Sequence, residues 1–147
     1  ENKEYYLEKF GINEKYDLIG SVFSYEKNFD SLIEELKKLD ITQPQFVVLT
    51  SLAYLLQKEN EVTQIMLSKI SGIDVMTISQ IINLLEKNGS IERKRHSKDT
   101  RANSVFLTLK GQNILEKAVP LVENIDDNFF NILAEKEQLF RELLKKL

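Results

Sequence analysis

The sequence predicts a mainly α-helical fold carrying one small β-hairpin, and three observations predict it. Apolar residues recur at the helical 3.6-residue period through most of the chain. Two short helical segments are joined at Gly72, a residue that turns a chain without a Cβ clash. Between Gly89 and Thr108 the period falls to two, so residues 91–96 read as one strand and 104–109 as its partner, with 97–103 as a polar, basic tip.

The elements follow in order. Ile19, Val22, Phe23, Phe29, Ile33 and Leu36 share one helical face and predict a long first helix ending near Asp40. Before it, Tyr5, Tyr6, Leu7, Phe10 and Ile12 form an aromatic-rich leader. Thr42 with Gln45 three residues on is a capping box, Pro44 is tolerated in the first turn, and Ile41 and Phe46 occupy the positions of a hydrophobic staple. That second helix runs through Val48, Leu52 and Leu56 and dissolves in Lys58, Glu59, Asn60 and Glu61. Val62 and Thr63 read as a single short strand pairing, after which Thr63 caps a third helix through Leu67 and Ile70. Gly72 ends it, and Asp74 caps a fourth helix that runs to Asn88 and Gly89. Such a pair of short helices is a helix-turn-helix.

After the hairpin, in which Val105, Leu107 and Leu109 share a side, Thr108 starts a helical last third. Leu115, Val119, Val122, Ile125, Phe129, Ile132 and Leu133 make one apolar stripe, and Leu139, Leu143, Leu144 and Leu147 another. Pro120 interrupts the first stripe and predicts a kink or a break.

Composition narrows the function. The 147 residues fit one domain or one protomer of an oligomer. The chain opens on Glu1, so residues are expected to precede it. No apolar run approaches the roughly 18 residues a membrane span needs and no signal-peptide pattern stands at the start, so a cytoplasmic protein without membrane contact is expected. The absence of cysteine excludes disulfides, thiolate metal sites and thiol redox sensing. A single histidine, His96, cannot build an imidazole-rich metal site. Adjacent carboxylates such as Asp126 and Asp127 point apart on a helix, no nucleophile–histidine–acid set can be assembled, and five glycines make no phosphate-cradling loop. Neither catalysis nor a cofactor is expected.

The net charge of −3 looks wrong for a nucleic-acid binder until its distribution is considered. Residues 87–101 hold Lys87, Arg93, Lys94, Arg95, Lys98 and Arg101 against Glu92 and Asp99, a local +4 that leaves −7 for the remainder. Such segregation points one face at phosphate. A solvated strand edge rich in cations would carry the same charges.

Two constellations fit duplex DNA. On the fourth helix, Ile78, Ile81, Ile82 and Leu85 form an inward face, leaving Thr77, Ser79, Gln80 and Asn83 outward. Small hydroxyls and an amide let a helix approach the major groove, where glutamine pairs with adenine and Val75 or Met76 in the first turn can meet a thymine methyl. At the hairpin tip Arg101 can enter a narrow minor groove while Arg93, Arg95 and Lys98 meet phosphates. Alternation puts Arg93 and Arg95 on one face and Lys94 on the other. Asp99 beside Arg101 either orients the guanidinium or caps the turn. The aromatic group Tyr5, Tyr6, Phe10, Tyr16, Phe23, Tyr25 and Phe29 fits a core or dimer interface, or a pocket for a flat effector.

The pattern Asp99-x-Arg101 followed by Val105-x-Leu107-Thr108-x-x-Gly111, preceded by Leu85-Glu86-Lys87-x-Gly89, resembles the wing signature and recognition-helix end of the MarR family of bacterial winged-helix regulators. The resemblance runs over nearly the whole chain and implies a winged helix-turn-helix lobe over residues 41–111, with residues 1–40 and 112–147 as dimerisation helices. It implies a homodimer on a pseudo-palindromic duplex-DNA operator, Arg101 in the minor groove with Asp99 in support, and bases or phosphates facing Thr77, Ser79 and Gln80. It further implies a repressor released by a small aromatic or anionic effector.

The chain departs from the family at Gln80, where a basic residue is frequent, and at Leu84, which replaces a frequently charged position. Glu135 opens the last helix after Ala134 without the usual hydroxyl cap. The expectation is therefore a DNA-binding regulator contacting DNA through Met76, Thr77, Ser79, Gln80, Asn83, Arg93, Arg95, Lys98 and Arg101. The alternative is a winged-helix protein–protein module antagonising a DNA-binding partner, favoured by the acidic balance and by apolar Val75, Met76 and Leu84 on the same surface.

Overall fold

Polar side chains set the helix starts. A computed structural model describes residues 29–147, and the side chains of Phe29, Phe129 and Ile132 lie outside that description. The aromatic leader and the start of the first helix expected from Ile19 also lie outside the described residues. Helix α1, Phe29–Lys38, ends as Asp40 takes a left-handed φ of 58°, a conformation aspartate tolerates better than most residues. Helix α2, Gln43–Leu56, opens on the full capping box: the Gln45 N–H donates to Thr42 Oγ1 at 3.3 Å and the Thr42 N–H donates to Gln45 Oε1 at 3.0 Å. Both staple residues, Ile41 and Phe46, are buried.

Helix α3, Gln64–Ser71, begins where Thr63 accepts the Met66 N–H and ends at Gly72, whose φ of 72° requires glycine's freedom. Helix α4, Val75–Lys87, is capped by Asp74 and meets α3 at 114°, the crossing of a helix-turn-helix. Ser68 fixes the connection by donating its hydroxyl to the Ile73 carbonyl at 2.6 Å.

Strands β1, Ile91–Arg95, and β2, Asn103–Leu107, pair antiparallel, with Ile91 opposite Leu107 and Arg93 opposite Val105. The Val62 carbonyl accepts the Val105 N–H at 2.7 Å, the single added pairing that the sequence predicts. Both strands are shorter than expected. His96 turns into the loop after one further rung, its N–H donating to the Ala102 carbonyl at 3.1 Å. Leu109 is not a strand residue: Thr108 caps the next helix through the Gly111 N–H, so Leu109 becomes its exposed first residue.

Helix α5, Leu109–Phe130, runs through Pro120 without a break, which is the stronger of the two disruptions expected there. Pro120 is exposed, so the carbonyl that loses its helical partner can be hydrated. The chain breaks at Ala134 instead (φ 45°, ψ −125°), within the 3-10 segment Asn131–Lys136. Helix α6, Glu137–Leu144, therefore starts two residues after the expected Glu135, and no side chain caps it.

One core joins these elements. Leu36, Leu49, Leu52, Leu67, Ile82 and Leu85 are fully enclosed, each contributing about 1.5–3 kcal/mol of apolar burial. Helix α1 packs on both α2 and α5. No single helix among the described residues is long and apolar enough to cross a membrane.

Candidate nucleic-acid interface

The inward residues of α4, Ile78, Ile81, Ile82 and Leu85, are buried, which fixes the helix's rotation and turns its other side outward. Gln80 and Asn83 are exposed there, Ser79 is half-buried, and Met76 is 76% exposed beside Val75 and Leu84. Thr77 is engaged in the helix start. Its N–H donates to Asp74 Oδ1 at 3.0 Å and its hydroxyl to Asp74 Oδ2 at 2.6 Å, holding the Asp74 carboxyl below its usual range. Thr77 therefore positions the first turn, while the Met76, Gln80 and Asn83 side chains are open to solvent.

The hairpin's basic residues divide by face. Arg93 shares the inward face with buried Ile91 and Val105, and its guanidinium is bonded to the Glu86 carboxylate on α4. Lys94 lies on the other face, 3.3 Å from Glu92 and 5.2 Å from the Phe106 ring centre. Arg95 and Lys98 are exposed. Arg101 stands at the tip with its side chain 92% exposed. Its N–H donates to Asp99 Oδ1 at 3.0 Å while its Nε lies 3.5 Å from the same oxygen, so Asp99 both closes the turn and aims the guanidinium. An ion pair this exposed is worth about 0.2–1 kcal/mol; its effect is on orientation.

Sequence reasoning missed the residues that hold the hairpin. Glu61 Oε1 accepts the Ser97 N–H at 3.0 Å and the Ser104 hydroxyl at 3.1 Å, and Oε2 accepts the Ser97 hydroxyl. These bonds, that of the Ser97 hydroxyl foremost, hold the Glu61 carboxyl below the ordinary glutamate range. His96 Nδ1 accepts the N–H groups of Lys98 and Asp99, each at 3.1 Å, and its Nε2 lies 3.5 Å from Glu61. These partners are 35 or more positions from Glu61, and no local pattern announces them. No group of three or more potential metal-ligating side chains occurs among the described residues.

A helix-turn-helix with a solvent-facing second helix, followed by a basic two-stranded wing, defines a winged helix-turn-helix regulator. The family model described as transcriptional regulator SarA/Rot matches residues 31–118, more than half of the chain. An uncharacterized HTH-type transcriptional regulator of Bacillus subtilis, YdcH, is 38% identical over 113 residues, covering 75% of this chain and 77% of the relative. The chain belongs to the MarR family of winged-helix transcriptional regulators, to which the SarA/Rot model is itself akin.

Other relatives agree. The Escherichia coli transcriptional regulator HosA is 28% identical over 109 residues, covering 74% of this chain and 78% of HosA. A mutant MarR from E. coli, crystallised with operator DNA, superposes with a TM-score of 0.70 at 30% identity, over 82% of this chain and 84% of that one. Both YdcH and HosA are named as transcriptional regulators.

Proposed function

We propose that this protein binds duplex DNA sequence-specifically as a homodimer and regulates transcription, as a repressor released by a small effector. One observation carries it: an exposed arginine at the wing tip, aimed by Asp99, on the same lobe as an α4 surface bearing Gln80 and Asn83. The operator complex of the similar E. coli MarR supports the reading. Residues 41–111 form the DNA-binding lobe, and residues 1–40 and 112–147 the dimerisation helices. Leu139 and Leu143, exposed along α6, and Leu147 just beyond its end support a partner protomer covering that face.

In this reading Met76, Ser79, Gln80 and Asn83 face bases or phosphates in the major groove, with Thr77 at the helix start. Lys98, Arg95 and Arg93 meet phosphates, and Arg101 enters the minor groove. A dimer places two α4 helices about one DNA turn, roughly 34 Å, apart. An effector that favours another spacing shifts the population away from the DNA-competent state. The site of action is the cytoplasm, where the DNA is.

A second reading, docking to another protein, rests on the exposure of Met76, Leu84 and Val75 on the α4 surface. Selection of bound duplexes from a random pool, followed by titration at two salt concentrations, separates the two. An enriched inverted repeat with steep salt dependence supports the DNA reader, because neutralising phosphates releases counterions. No enrichment, with residual affinity lost in salt, supports docking.

A further inference from the structure

Glu61 lies in the polar run between α2 and α3, outside the groove-facing set, yet it is the most densely hydrogen-bonded carboxylate on the wing side. We infer that Glu61 and His96 are positioning residues: a carboxylate latch that fixes the wing's angle to the helix-turn-helix, so that Arg101 and the outer face of α4 meet DNA together. The inference rests on the DNA-binding reading proposed above.

A two-stranded ribbon is marginal by itself, so something must hold its outer half. The inner half is held by the buried pair Ile91–Leu107, by buried Val105 opposite half-buried Arg93, and by the Val62–Val105 bond. Farther out, the hydrogen bonds that tie residues 94–104 to the body of the protein, among the described residues, end on Glu61. Ser97 follows β1 and Ser104 lies on β2, so one carboxylate grips both sides of the ribbon. Two positions later Thr63 caps α3, which ties the same short segment to the helix-turn-helix.

The grip extends to the tip. With Nδ1 accepting two amide N–H groups, the neutral imidazole carries its proton on Nε2, which faces Glu61. One of those amides belongs to Asp99, whose carboxylate accepts the Arg101 N–H. The 3.5 Å contact between Glu61 and His96 thus leads into the hydrogen bonds that the Asp99 amide donates to His96 and the Arg101 amide donates to Asp99. Within residues 95–104 the other charged groups are Arg95 and Lys98, both exposed, and the Asp99–Arg101 pair.

The sign of a single substitution decides between a latch and a bystander charge. A carboxylate near phosphate that merely repels it would, on removal, tighten DNA binding. A latch would, on removal, weaken it. Glu61→Ala, Glu61→Gln and Arg101→Ala are compared with the parent protein on the selected duplex, with thermal unfolding as the control for folding. The expected result is a roughly tenfold loss for Glu61→Ala, similar to Arg101→Ala, at an unchanged thermal midpoint. Glu61→Gln, which deletes the same charge but keeps one acceptor oxygen, should recover part of the affinity.

The sole histidine gives a readout independent of DNA. Nitrogen-resolved NMR should show the Nε2–H tautomer with Nδ1 as acceptor in the parent protein, and its loss in Glu61→Ala. Unchanged or tighter binding by Glu61→Ala beside a weakened Arg101→Ala overturns the latch, as does a His96 averaging between tautomers in the parent. If Arg101→Ala also binds normally, the wing's role in DNA binding has failed and the positioning role falls with it. The tautomer still reports whether the latch itself exists.

Discussion

The Arg93 guanidinium is bonded to the Glu86 carboxylate, tying the third residue-pair of the hairpin to the last turn of α4. Its side chain is 27% exposed, far less than a free phosphate ligand would be. Arg93→Ala should therefore act through the fold, lowering the thermal midpoint by about 2–4 °C for each kcal/mol of lost packing and pairing. Lys98→Ala should do the reverse, leaving stability alone and reducing the salt slope of DNA binding by about 1. Thermal unfolding and affinity against salt separate the two; a slope change of about 1 for Arg93→Ala would mean that it leaves Glu86 for phosphate.

Arg101 and Asp99 are expected to fall in one order. Arg101→Ala should weaken DNA binding by about 1–3 kcal/mol with fold and dimer intact. Asp99→Ala should weaken it less, although it deletes a negative charge, because the guanidinium remains but loses its aim. Affinity titration checks both, and tighter binding by Asp99→Ala would show that its charge outweighs its geometry.

Gln80 is exposed on the outer face of α4. Its replacement by alanine should change site preference more than nonspecific affinity, since a bidentate amide–adenine pair discriminates by about 1–3 kcal/mol. Repeating the duplex selection with Gln80→Ala measures this directly. An equal loss on every sequence would place Gln80 against the backbone.

Gly111 is required by space, not by its backbone angle. A Cβ there would stand 2.1 Å from the Ser90 carbonyl oxygen and 3.1 Å from Leu107 Cδ2. That carbonyl is backbone and accepts the Thr108 N–H at 3.1 Å, so it cannot yield cheaply. Gly111→Ala should cost about 1–3 kcal/mol as α5 is pushed off the base of the wing. Chemical denaturation reads the loss, and an unchanged midpoint would mean that the junction relaxes freely.

Burial pushes the Asp126 carboxyl up to about 6, with the neighbouring Asp127 charge adding to it. The folded state then holds this proton more tightly than the unfolded one, so stability falls as pH rises toward 6 and the penalty is complete above it. Asp126→Asn should raise the melting temperature at pH 7 but not at pH 4. After discounting for solvent screening, the gain at pH 7 is of order 1 kcal/mol, or about 2–4 °C. Melting curves at the two pH values check it.

Much of the fold was legible because its signals are local. Thr42 with Gln45, Thr63, Gly72, Asp74 and Thr108 each act within a few residues, and each starts or ends a helix where the sequence predicts. The inward set Ile78, Ile81, Ile82 and Leu85 follows from the helical period alone. Leu109 misled because a strand period continues on paper past a cap that turns the chain.

The sequence by itself determined the order of elements, the basic wing and the pairing of Asp99 with Arg101, since each depends on residues a short loop or one helical turn apart. Only the tertiary structure decided that Thr77 is engaged by Asp74, that Arg93 is held by Glu86, and that Glu61 grips the wing through Ser97, Ser104 and His96. For Arg93 and Glu61 the bonds join elements separated by turns or by tens of residues. Which polar group finds which partner is then set by how the core positions the two backbones.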